Sequence, residues 1–156
     1  MPFVSHLRAE QIVIAPPWRG FGETVDGLLD QLVKADRLSA PVRDAAASAV
    51  RAREAEASTA VLEIGVGIPH ARIADLRTCV VGLAIAPGGL YDVAPMVPIR
   101  IVALVLSPIT ALEAHLRTLA DIATLLRSVE LRALLLRASD TPSAIDVLHR
   151  FARGMP

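Results

Sequence analysis

The chain has 156 residues, enough for one domain whose core needs neither disulfides nor a structural metal. Lys+Arg and Asp+Glu balance at 16 each and aromatics are only 3%, which argues against nonspecific nucleic-acid binding and removes the stacking platforms that single strands need. The longest apolar runs, Cys79 to Ala86 and Ile101 to Leu106, fall well short of the ~20 residues of a membrane span, so no direct membrane insertion is expected.

Met1 to His6 contain no basic stretch leading into an apolar segment, the pattern of a secretion signal. A single cysteine, Cys79, cannot form a disulfide framework and fits a reducing cytoplasm. Gln11 to Ala15 read as a short strand that Pro16-Pro17 ends. A helix follows, with Val25, Leu28, Leu29, Leu32 and Val33 on one stripe. Ser39 caps the next helix and Pro41 sits in its first turn, where a missing N–H does no harm. That helix carries Val42, Ala45, Ala46, Ala49 and Val50 on one side and runs into Arg53-Glu54.

Ala60 to Ile64 read as a strand ahead of a Gly/Pro-rich segment. Cys79 to Ala86 and Ile99 to Leu106 are continuous β-rich runs, as in strands covered on both faces. Between them Pro87-Gly88-Gly89 and Pro95 to Pro98 mark an irregular connection. Thr110-Ala111-Leu112-Glu113 has the capping-box spacing and opens a helix. Its apolar face holds Leu112, Leu116, Leu119, Ile122, Ala123 and Leu126, with His115 on the same side. A short helix over Leu131 to Leu136 follows, then a last one from Thr141-Pro142 with Ile145, Leu148 and Phe151 inward. The order predicts a single α/β domain over residues 1–156, a sandwich with a mixed sheet of about five strands and helices on both faces.

Gly65-Val66-Gly67-Ile68-Pro69-His70-Ala71-Arg72 is the segment that points to chemistry. An imidazole titrates near neutral pH and serves as base, ligand or nucleophile with little tuning. Gly65 and Gly67 let a bulky polar group approach the backbone, and Pro69 pushes Ile68 to an extended conformation. The segment is built to display His70. Residue by residue, plainer readings stand beside this one. His115 on an apolar helix face is either a satisfied core group or part of a site. Arg53 at a helix C-terminus is equally explained by the helix dipole. Ser58 and Thr59 fit simple turn hydrogen bonds. His6 and His149 have no supporting context, and Cys79 reads as core packing.

Taken together, Arg53-Glu54, Ser58-Thr59, the Gly-Val-Gly-Ile-Pro-His70 stretch and His115-Leu116 resemble one family. It is enzyme IIA of the bacterial phosphoenolpyruvate-dependent sugar phosphotransferase system (PTS), of the fructose, mannitol and nitrogen-regulatory type. The similarity runs from the strand at Ile12 to the last helix at Leu148. The resemblance implies a cytoplasmic phosphocarrier with an α/β sandwich fold and no cofactor. His70 would take a phosphoryl group from the histidine-containing phosphocarrier protein and pass it to a PTS IIB protein or domain. His115 and Arg53 match the family's helix histidine and its arginine. The physical demands agree: phosphoryl transfer asks for positioning and for neutralised charge on the phosphoryl oxygens. Arg53 offers a planar, permanently charged fork, and backbone N–H groups of the Gly65–Gly67 loop are expected to add donors. No metal-ligand spacing is visible.

Three features depart from the family pattern. Glu63-Ile64 stands where small or amide residues are common, Gly67 replaces an alanine, and the Thr59–His70 segment is one residue longer. An extra residue flips side chains between faces unless an irregularity absorbs it. Two alternatives to a transport phosphocarrier therefore stand: a regulatory module that binds a protein target and is switched by phosphorylation of His70, and a relative that keeps only the fold.

Overall fold

The computed structural model describes residues 2–154. A short helix α1 (Pro2–Ser5) and a 3₁₀ turn (Ala9–Gln11) lead into β1 (Ile12–Ile14). Helices α2 (Phe21–Lys34) and α3 (Ala40–Glu56) follow as an antiparallel-type pair. Next come β2 (Ala60–Val61), a 3₁₀ turn (Leu62–Ile64), β3 (Val66–Gly67), β4 (His70–Ile73) and β5 (Val80–Ile85). The chain continues through β6 (Tyr91–Ala94), β7 (Val97–Ile99) and β8 (Ile101–Pro108) to α4 (Leu112–Leu125), α5 (Val129–Arg137) and α6 (Thr141–Ala152).

The six-stranded sheet runs β1-β5-β8-β3-β2, with β4 continuing β3 along the same side of β8. It is mixed: β1 pairs with β5 in parallel, β5 with β8 antiparallel, and β3 and β4 both with β8 in parallel. All eight residues of β8 are buried, because helices cover both faces of the sheet. Alternation along β8 divides the core in two. Ile101, Ala103 and Val105 join a cluster with Phe3, Ile122, Leu126 and Leu148 from the α1, α4 and α6 side. Val102, Leu104 and Leu106 join Leu28, Leu32, Ala46 and Val50 from α2 and α3. The α2–α3 pair is also tied at the surface, where Arg43 bonds Asp30 at 2.9 Å and Arg51 bonds Asp26 at 2.8 Å.

Three expectations change. The predicted strand over Ala60 to Ile64 is cut to two residues, because a 3₁₀ turn over Leu62–Ile64 ends in Gly65 with φ +65°. That left-handed position is one that glycine takes without a Cβ penalty. The Pro87-to-Pro98 connection is largely ordered: β6 and β7 form their own antiparallel ribbon, with a bulge between Asp92 and Ala94.

Helix α4 shows the third change. Ala111, one residue past the Thr110 that the capping-box spacing points to, is its N-cap, and an alanine side chain has no acceptor to offer the first turn. The buried face is His115, Thr118, Asp121, Ile122 and Leu125, while Leu112 is 49% and Leu116 55% exposed. Polar residues face inward because each is satisfied. Thr118 Oγ1 donates to the Ala114 carbonyl at 2.8 Å, and Asp121 accepts from Phe3 N–H at 2.8 Å. His115 is bonded to Ser107.

Candidate functional site

Pro69 interrupts the strand formed by β3 and β4, since it has no N–H to give to a ladder. Its carbonyl still accepts from Val105 N–H at 3.0 Å, so the break is local and His70 resumes pairing opposite Val105. On the other side, Ile68 N–H donates to the Thr59 carbonyl at 3.2 Å. Thr59 is fixed in turn by Glu54 at the end of α3. The Glu54 carboxylate accepts from Thr59 N–H at 2.8 Å and from its hydroxyl at 2.7 Å. The loop that presents His70 is therefore pinned to helix α3 through charge-assisted bonds.

His70 is half-buried and its Nδ1 lies 2.8 Å from the Ile68 carbonyl. A carbonyl oxygen only accepts, so in this bond Nδ1 carries the proton and Nε2 keeps its lone pair. The His115 ring lies beside it, with centroids 5.3 Å apart and planes tilted by 58°. His115 is buried, with Nδ1 2.8 Å from Ser107 Oγ. Burial, then repulsion from His70 whenever that ring is protonated and from Arg72, pushes its pKa down to about 4. At neutral pH it is an uncharged imidazole.

Both rings open on a cavity of about 450 Å³ lined also by Arg53, Glu56, Arg72 and Ile109. The structure thus gathers His70, His115 and Arg53, which stand far apart in the sequence. Arg53 spends Nη1 on the Ala57 carbonyl at 3.1 Å. Guanidinium carries five N–H donors, so most remain to meet an anion. Arg72 was not singled out from the sequence. It follows His70 by two positions in β4, and the period of 2 puts both on the side opposite buried Ala71 and Ile73. Its Nη1 donates to the Ile109 carbonyl at 3.2 Å. A larger groove of about 810 Å³ lies against Trp18, Phe21, Gly88 and Tyr91, and no histidine or cysteine lines it. Among the described residues no three of His, Cys, Asp or Glu cluster so as to hold a metal ion. No helix among them is long and apolar enough to cross a membrane.

Comparison with known proteins places the arrangement. A family model described as "Phosphoenolpyruvate-dependent sugar phosphotransferase system, EIIA 2" matches residues 5–150. The chain belongs to this EIIA family. It is 34% identical over 125 residues to the PTS system fructose-specific EIIA component of Haloferax volcanii, covering 80% of this chain and 79% of that protein. The fold matches nitrogen regulatory protein IIA-Ntr from Neisseria meningitidis with a TM-score of 0.78 at 22% identity, over 93% of this chain and 97% of that one. It also matches the Escherichia coli complex of enzyme IIAMTL and phosphorylated enzyme IIBMTL with a TM-score of 0.75 at 17% identity, over 92% and 96% of the two chains.

Within this EIIA domain the glycine segment does something other than line the cavity. Gly65 N–H closes the 3₁₀ turn on the Leu62 carbonyl, and Gly67 lies buried in β3 between β2 and β8. Neither faces the two histidines. A Cβ on Gly67 would overlap the Tyr91 hydroxyl, so the polar group that approaches this backbone is a phenol from β6. Glu63 is exposed in the 3₁₀ turn beside a separate cavity with Met96, Arg100 and Arg132, away from His70.

Proposed function

We propose that this EIIA domain is a phosphocarrier that holds a phosphoryl group on His70 Nε2. The observation that carries the reading is the Ile68 carbonyl bond, which keeps the proton on Nδ1 and leaves Nε2 as the nucleophile. In the step, the Nε2 lone pair forms a bond to phosphorus as the N–P bond of the donor phosphohistidine breaks. The bonding pair returns to the donor's imidazole. His70 keeps its Nδ1 proton, and the bond to Ile68 strengthens as the ring gains positive character. Arg53 and Arg72 neutralise the phosphoryl oxygens, and His115 adds a neutral ring at their side.

The donor is the histidine-containing phosphocarrier protein and the acceptor a IIB protein or domain. Family membership supports this, as does the fold shared with an enzyme IIA seen with phosphorylated IIB. The mouth of the cavity suits a protein partner, because Ile109 on its rim is exposed, as are Leu112 and Leu116 on the helix that carries His115. The 34% identity to a fructose-specific component makes fructose the first sugar to assay.

Incubation with phosphoenolpyruvate, enzyme I and the histidine phosphocarrier, followed by intact-mass measurement, tests the reading. One acid-labile phosphoryl group is expected, absent in His70→Ala and present in His149→Ala. No mass gain, with upstream proteins shown to phosphorylate another EIIA, overturns it.

A further inference from the structure

His115 faces the reactive ring, and what it offers depends on which of its nitrogens carries the proton. Its Nδ1 points away from the cavity, to Ser107 Oγ at 2.8 Å. Ser107 is 1% exposed at the end of β8, so water does not compete for this bond. The Ser107 hydroxyl has one proton and two acceptors within reach: the imidazole nitrogen at 2.8 Å and Cys79 Sγ at 3.7 Å. A thiol sulfur is a weak acceptor and an imidazole nitrogen a strong one, so the proton goes to the ring. Cys79 remains a thiol, since burial pushes its pKa up.

The geometry points to Ser107 as a positioning residue that holds His115 as the Nε2–H tautomer, opposite to the Nδ1–H tautomer of His70. One ring then presents a lone pair and its neighbour an N–H, at a centroid separation of 5.3 Å. The pairing suits a site that first attacks phosphorus and then holds an acceptor-only phosphoryl group. His115 Nε2–H would donate to a phosphoryl oxygen while Ser107 supplies the compensating bond behind the ring. Neutrality matters here, because burial penalises an imidazolium at this spot. Nothing in the sequence singles out Ser107. Only the register of β8, which puts Ser107 two residues beyond Val105 on the α4 side, brings it under His115.

The catalytic part of this inference rests on the phosphocarrier reading; the tautomer does not. Long-range proton–nitrogen NMR of the ¹⁵N-histidine chain at pH 7 reads both rings before any phosphorylation. His115 should show a protonated Nε2 and an unprotonated Nδ1, and His70 the reverse. In Ser107→Ala the His115 signals should move to the averaged values of a mixed pair of tautomers, and Ser107→Thr, which keeps the hydroxyl, should restore the single form. Phosphoryl transfer to His70 should slow about tenfold in Ser107→Ala and recover in Ser107→Thr, the size expected from misaligning one donor without removing it. A protonated Nδ1 on His115 in the unmodified chain overturns the inference, as does an unchanged tautomer and rate in Ser107→Ala. If the unmodified chain takes no phosphoryl group, the phosphocarrier reading fails while the ring spectra still decide the tautomer.

Discussion

Gly67→Ala tests how the loop before His70 is packed. The added methyl would overlap the Tyr91 hydroxyl and stand 3.1 Å from Tyr91 Cζ and 3.3 Å from Ile99 Cγ2. Both neighbours are restrained. Gly67 is held between β2 and β8, and Tyr91 is buried with its ring edge-on to Phe21, centroids 5.4 Å apart. Overpacking of this kind costs about 2–3 kcal/mol. Tyr91→Phe removes the overlapping atom. Its hydroxyl is buried and has no hydrogen-bond partner among the described residues, so the single change should lie within about 1 kcal/mol of neutral or stabilise slightly. In the double variant the nearest remaining atom, Cζ, must give by a few tenths of an ångström, and most of the loss should return. Urea unfolding of all four proteins should then give a coupling of about 1.5 kcal/mol or more between the two sites, with unchanged slopes. Additive effects would show that Gly67 is not there to accommodate the phenol, and the reasoning would fail.

Acid should weaken the fold through His115. Its folded pKa of about 4 lies below the ordinary 6.5, so between these values the unfolded chain binds the proton and the folded one does not. Stability should be full above pH 6.5 and fall by about 3 kcal/mol towards pH 4, and His115→Gln should flatten that slope; an equally steep profile in the variant assigns the loss elsewhere. Glu54→Ala removes the carboxylate that holds Thr59 N–H and hydroxyl, so it should cost about 1–2 kcal/mol and slow phosphoryl acceptance by loosening Ile68. Normal acceptance in that variant would mean the loop holds its shape alone. Arg72→Ala should leave the urea midpoint nearly unchanged while slowing transfer about tenfold, with Arg72→Lys recovering part of it; equal rates would remove Arg72 from the site.

The strands of the core were readable because β5 and β8 are apolar on both faces, a pattern that needs no knowledge of neighbours. The family motifs brought His70, His115 and Arg53 together before any coordinates, and the three do line one cavity. On α4 the expected face holds at His115, Leu119, Ile122 and Leu126 and fails at Leu112 and Leu116, which obey the helical period and yet lie exposed. What turned the helix was a set of buried hydrogen bonds, Asp121 to Phe3, Thr118 to Ala114 and His115 to Ser107, whose partners are set by tertiary register. The glycine loop was read as an anion cradle for a related reason. A gap beside a backbone is legible in sequence, but the group that fills it, here Tyr91 from β6, comes from 24 positions along the chain (91 − 67) and a strand that composition alone did not announce. Arg72 was within reach, because a period of 2 from His70 was already written in the chain.

The atom that receives the phosphoryl group is the most direct test of the whole account. Nitrogen–phosphorus coupling in the NMR spectrum of the ¹⁵N-histidine chain, after treatment with phosphoenolpyruvate, enzyme I and the histidine phosphocarrier, should place phosphorus on Nε2 of His70. Phosphorus on Nδ1 of His70, or on the ring of another histidine, would contradict it.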